Sequence, residues 1–131
     1  MTVFVDTSAV LAVLHADDEH HSRAAATFRS LLERETSLLT SNYCVLETVA
    51  IVQHRFGSKA VRRFHADLLP VFSVEWVDAA IHQEAMTALL TADRRRLSLV
   101  DCSSFSIMRR LGVTTAFHFD RHFREQGFVY P

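Results

Sequence analysis

Cysteine, glycine and proline are scarce in this chain of 131 residues, lysine occurs once, and each scarcity excludes something. The two cysteines, Cys44 and Cys102, lack the close pairing that a zinc site or a thioredoxin-like motif requires, so they read as reduced packing residues. Only three glycines, Gly57, Gly112 and Gly127, are present, and they form neither a P-loop nor a dinucleotide fingerprint. No GxSxG stretch supports a hydrolase elbow. The longest unbroken apolar run, Ala9 to Leu14, is far too short to span a bilayer. With no basic stretch ahead of a hydrophobic segment, the expectation is a cytoplasmic protein without a membrane anchor.

Basic excess is missing too. A formal net charge of -1 lacks the overall positive balance that accompanies non-specific nucleic-acid binding, so any polyanion must be met locally. The basic residues are thirteen arginines and Lys59, with clusters at Arg62-Arg63, Arg94-Arg95-Arg96 and Arg109-Arg110. Arginine's planar fork suits phosphate, although a run of this kind is more often a solvated face. No low-complexity stretch or linker divides the chain, which reads as one domain over residues 1–131 with enough length for a core of its own.

What is present is an alternation of strands and helices. TVFV (2–5) reads as a short buried strand, and Thr7 to about His15 as a helix. Asp17 or Asp18 offers an N-cap for a second helix through about Glu35. LLTS (38–41) is a second strand, followed by Asn42 as a cap and a helix from Tyr43 to Phe56 that Gly57 ends. A helix over 58–68, a strand in VFSVEWV after Pro70, and a helix that Asp78 caps come next. Asp101 stands at the start of a helix ended by Gly112, TTAFHF (114–119) is a strand running into Asp120, and FVY is a final edge strand. This order predicts an α/β fold, a mostly parallel sheet with helices on both faces.

On that scaffold four acids fall near the carboxyl ends of strands, where loops and helix starts of an open α/β sheet converge. Asp6 follows the first strand, Glu47 lies in the first turns of the helix after the second, and Asp101 and Asp120 bracket the last helix-strand unit. Each has an ordinary alternative: Asp6 and Asp101 as N-caps, Glu47 as a helix residue bordering the core, Asp120 as a turn residue. Together they carry a constraint that single caps do not. Like charges a few ångströms apart raise one another's pKa unless a cation neutralises them. Oxygen donors without sulfur suit Mg²⁺ or Mn²⁺, which also assist in-line phosphoryl displacement.

The segments VFVDTSAVLAVL, LLTSNYCVLETVAIVQHRFG, RRLSLVDCSSFSIMRRLGV and AFHFDRHFREQGF resemble, in order and spacing, those of PIN-domain ribonucleases of the VapC toxin type. The resemblance covers essentially the whole chain. It implies a three-layer α/β/α sandwich, Mg²⁺- or Mn²⁺-dependent cleavage of RNA, a homodimer, and a small antitoxin that covers the active site. Carried over by position, Asp6, Glu47, Asp101 and Asp120 are the catalytic and metal-holding acids, and Ser8 is the small hydroxyl residue beside the first of them. A housekeeping ribonuclease without an antitoxin and a catalytically silent PIN-like binding module stand as alternatives.

Other enzyme classes lose on particular residues. A haloacid-dehalogenase-like phosphatase needs a second aspartate where Ser8 stands, and a response-regulator receiver needs a late lysine where Lys59 is mid-chain. Of the eight histidines, only His118 and His122, flanking Asp120, stand near the expected site. The ten phenylalanines are spread without a stacking motif and read as core or dimer surface.

Overall fold

The computed structural model describes residues 1–131. Strand β1 (Thr2–Val5) leads into α1 (Thr7–Leu14) and α2 (His21–Glu33), then β2 (Ser37–Ser41) and α3 (Asn42–Phe56). Helix α4 (Ser58–Arg63) continues through a π-helical turn (Phe64–Leu68) and a 3₁₀ turn (Leu69–Val71) to β3 (Ser73–Glu75). Helices α5 (Ala79–Ala92) and α6 (Leu99–Leu111), strand β4 (Thr115–Phe117) and α7 (Arg121–Glu125) complete the chain.

Period-two alternation in the strands builds a core on each face of the sheet. Phe4, Leu39 and Ala116 point to one side, where they meet Ile81 and Ala85 of α5, Phe105 and Met108 of α6, and Phe123 of α7. Val3, Val5, Leu38 and Phe117 point to the other, against Ala9 and Val10 of α1, Ala24 and Leu31 of α2, and Phe64 and Leu68. The register pairs like with like, Val3 opposite Leu38, Phe4 opposite Leu39 and Ala116, and Val5 opposite Phe117. The result is the expected three-layer α/β/α sandwich.

All strand pairings are parallel, in the order β3-β2-β1-β4. The chain steps outward from β1 to β2 and β3, then returns to place β4 on the other side of β1. The direction of winding therefore reverses between β1 and β4, and a crevice opens outside the carboxyl ends of those two strands. Asp6 and Asp120 follow those ends.

Several expected boundaries move, each for a local reason. Asp18 does not cap α2: its Oδ1 accepts from the His20 backbone N–H at 2.8 Å in the preceding turn, and the helix begins at His21. The cap of α3 is Ser41, whose Oγ accepts from the Cys44 N–H, while the Asn42 side chain accepts from the Val77 N–H at 2.6 Å and ties the exit of β3 to α3. The helix expected over 58–68 changes to π geometry at Phe64. The alternating run after Pro70 yields only three strand residues: the 3₁₀ turn containing Pro70 takes Val71, and the strand ends before Trp76 and Val77. Strand β4 is trimmed to Thr115–Phe117, and Val129 contributes an isolated parallel bridge to Thr115 rather than an edge strand.

Phe4 is 0 % exposed and its ring stacks on that of Phe123 at 6.5 Å. Truncating it to alanine leaves a cavity between β1 and α7, and Phe4→Ala should destabilise the fold by about 3–5 kcal/mol. Urea unfolding followed by circular dichroism measures this. An unchanged midpoint would contradict the packing described.

Candidate active site

Three helices start at the crevice, and an aspartate takes part in the N-terminal capping of each. Asp6 is the N-cap of α1, with Oδ2 accepting from the Ser8 backbone N–H at 3.1 Å. Asp120 is the N-cap of α7, with Oδ1 accepting from the His122 N–H at 3.0 Å. Asp101 lies in the first turn of α6 rather than at its cap: Ser98 is the N-cap, its Oγ accepts from the Asp101 N–H at 3.0 Å, and Asp101 Oδ2 accepts from the Ser98 N–H at 3.2 Å. This reciprocal capping box holds the Asp101 side chain in place. In each case one carboxylate oxygen serves the helix start and the other has no hydrogen-bond partner within the fold.

Capping thus occupies one oxygen of each group and leaves the second available to a ligand. Each helix start presents the positive end of its dipole to the aspartate in its first turn or cap, which favours negative charge there.

Burial works in the opposite direction. Asp6 is 4 % exposed, and loss of hydration pushes its carboxyl from the ordinary 3.8 up to about 7. The two hydrogen bonds from Ser8 pull it down, and the charges of Asp101 and Glu47 add to the rise. Asp101 is raised for the same first reason, opposed by the Ser98 backbone hydrogen bond and reinforced by Asp120. Glu47, half-buried on α3, is thereby placed within electrostatic reach of Asp6.

One oxygen each of Asp101 and Asp120 and a ring nitrogen of His122 lie within 4.8 Å of one another, a spacing that a single cation can bridge. Asp6 and Glu47 stand outside that set of three. His122, known from sequence only as a neighbour of Asp120, is buried, and its Nδ1 has no hydrogen-bond partner. Its nearest acid at that nitrogen is Glu125, at 3.6 Å. The other flanking histidine, His118, packs its ring on Phe123 at 4.9 Å and is not in the set.

Ser8 fixes the first acid from two directions. Its hydroxyl donates to Asp6 Oδ2 at 2.6 Å and accepts from the Phe119 backbone N–H at 2.9 Å, linking the end of β1 to the segment that leaves β4. A layer of buried hydroxyls lies beneath: Thr7 donates to the Cys44 carbonyl, Thr48 to Thr7, and Thr40 to the Val5 carbonyl. Cys44 is unsuited to bind a metal as a thiolate, because burial first and the Asp6 charge second push its thiol up to about 11. The available donors are carboxylate oxygens and one imidazole, a set that fits a hard divalent cation.

The sign of the pH dependence follows from the Asp6 shift. Its folded pKa lies above its unfolded value, so its contribution to stability is full below about pH 4 and is lost as pH rises to about 7. For a group this buried the loss is on the order of 4 kcal/mol. In chelator, the stability of Asp6→Asn relative to wild type should therefore rise between pH 4 and 8, as measured by urea unfolding at several pH values. Parallel stability curves would contradict the buried, crowded carboxylate.

The PIN domain family model matches residues 3–129. The chain is 35% identical over 128 residues to the 23S rRNA-specific endonuclease VapC20 of Mycobacterium tuberculosis, covering 97% of this chain and 95% of that protein. The crystal structure of M. tuberculosis VapC20, a Sarcin-Ricin loop cleaving toxin, superposes with a TM-score of 0.84 at 34% identity over 98% of both chains. FitAcB from Neisseria gonorrhoeae, at 20% identity and a TM-score of 0.73 over 100% of this chain and 97% of that one, shares the fold. The chain belongs to the PIN domain family.

Proposed function

We propose that residues 1–131 form one domain that acts in the cytoplasm as a metal-dependent endoribonuclease, the toxin of a VapBC-type pair. The observation that carries this reading is the convergence of Asp101, Asp120 and His122 beside Asp6 at the point where the sheet reverses direction. The names of the VapC20 relatives, an rRNA endonuclease and a loop-cleaving toxin, support the substrate class.

Asp6, Glu47, Asp101 and Asp120 would hold Mg²⁺ or Mn²⁺, with His122 beside them. Such an ion supplies charge neutralisation, a hold on the scissile phosphate and an acidified water. The chain's own residues do the rest. Ser8 orients Asp6, the capping box orients Asp101, and the α7 start orients Asp120. Glu47 or Asp120 accepts the proton of the attacking water, and the water attacks the phosphorus in line with the leaving oxygen. The hydroxyl layer and the two cores beneath keep the acids from moving apart.

Apolar surface supports the protein partners. Leu46 and Trp76, 69% and 71% exposed, border a cleft of about 560 Å³ with Tyr43, Val45, Val49 and Val74. A second cleft of about 440 Å³ runs between Leu14 of α1, Val52 and Phe56 of α3, and Leu68. Faces of this kind are consistent with a homodimer and a small antitoxin.

Asp6→Asn should abolish RNA cleavage by the purified protein while its circular dichroism spectrum is unchanged, and chelator should stop the wild-type reaction. Ser8→Ala, which keeps every acid but releases Asp6, should slow cleavage by roughly 10- to 100-fold, in the range seen for partners that orient metal ligands. Cleavage by Asp6→Asn at the wild-type rate would overturn the site. Growth arrest on expression, relieved by co-expressing whatever short reading frame adjoins the gene and absent with Asp6→Asn, separates a toxin from a housekeeping enzyme or a silent binding module. Harmless expression of the wild type would remove the toxin role.

A further inference from the structure

A cleft of about 490 Å³ opens beside Asp120, between the start of α2, the β4–α7 connection and the C-terminal segment. It shares Asp120 with the acid cluster, yet its character is the reverse. Arg23 and Arg124 line it, and neither forms an ion pair or side-chain hydrogen bond with a carboxylate. Of the arginines in the sequence clusters, Arg94 is held by Glu125 at 2.9 Å and Arg110 by Glu84 at 2.7 Å. Two uncompensated guanidinium groups therefore stand on the rim of a negatively charged centre.

The walls of the cleft are flat rings. The Arg23 guanidinium lies over the Tyr130 ring at 4.1 Å, and Tyr130 is anchored by a 2.9 Å hydrogen bond between its hydroxyl and Thr27. His20 stacks on Phe119 at 4.6 Å with an angle of 8° between the rings. His118, 8% exposed, also lines the cleft and leaves its Nδ1 without a hydrogen-bond partner.

Rings that stack with bases, beside arginines that no carboxylate holds, are the parts from which single-stranded nucleic-acid sites are built. The volume falls in the range of small-ligand sites and accommodates one nucleotide.

We infer that this cleft seats an unpaired nucleotide of the RNA adjoining the phosphate that is cut, with Arg23 and Arg124 on its phosphates and Tyr130 and His20 as the stacking surface. The inference rests on the ribonuclease reading above and extends it from the cleavage centre to substrate positioning. An unpaired nucleotide is required because a base held within a duplex cannot turn its face to the rings. The cleft thereby favours loops and single strands over regular helices.

Binding is measured in the Asp6→Asn background, where the RNA stays intact, by fluorescence anisotropy of a labelled single strand of about twelve nucleotides. Adding Arg23→Gln or Arg124→Gln should raise Kd and lower the slope of log K against log salt by roughly 0.7 for each lost phosphate contact. Tyr130→Ala should weaken binding by about five-fold or more, and Tyr130→Phe should restore it. Both arginines are exposed, so their variants are expected to fold. If all three variants bind like the Asp6→Asn parent, with an unchanged salt slope, the nucleotide seat is wrong and the ribonuclease reading stands. If the parent binds no RNA and the wild type cuts none, the ribonuclease reading falls and takes the inference with it.

Discussion

Asp6 is held in place by the strand before it and the helix after it, in a position that strips most of the water from its carboxylate. Charge there is opposed by burial and by the acids on α3 and α6, and supported by Ser8 and by the start of α1. The balance favours the protonated form up to about pH 7. A fold that keeps such a group carries a standing penalty near neutral pH unless a cation joins it. The surrounding devices all bear on that one problem: the Ser8 clamp, the Ser98–Asp101 capping box, the three helix starts and the hydroxyl layer below.

The sheet decides where these devices meet. Because β4 returns to the far side of β1, residues separated by more than a hundred positions become neighbours, and the Ser8 hydroxyl can receive the Phe119 N–H. The proposed cleavage centre and the nucleotide seat lie on adjacent sides of Asp120, one negative and one positive. A chain with a net charge of -1 can in this way meet a polyanion locally.

Much of this was legible in the chain because strand ends and helix starts leave local marks. TVFV followed by Asp-Thr-Ser announces a buried strand and a cap, and Gly57 announces the end of α3, where its φ of 85° suits glycine. The four acids could be placed near one end of the sheet on that basis. His122 could not be ranked above His118, since both flank Asp120 and only the turn into α7 brings one of them toward Asp101. VFSVEWV alternates like a full strand, but the turn at Pro70 draws in Val71 and the strand stops at Glu75, a trimming the pattern alone does not resolve. The stacking surface was invisible for a different reason: His20 and Arg23 meet Phe119 and Tyr130 only through the fold, so no phenylalanine or tyrosine motif appears in the sequence.

Calorimetric titration of Mn²⁺ into the chelator-stripped protein at about pH 6.5, repeated in two buffers of different ionisation enthalpy, tests the proposed metal site most directly. A cation that displaces the proton from the buried Asp6 carboxyl must release it to the buffer, so saturable binding with net proton release is expected, both lost in Asp101→Asn. Absence of binding, or binding without proton release that Asp101→Asn leaves unchanged, would contradict it.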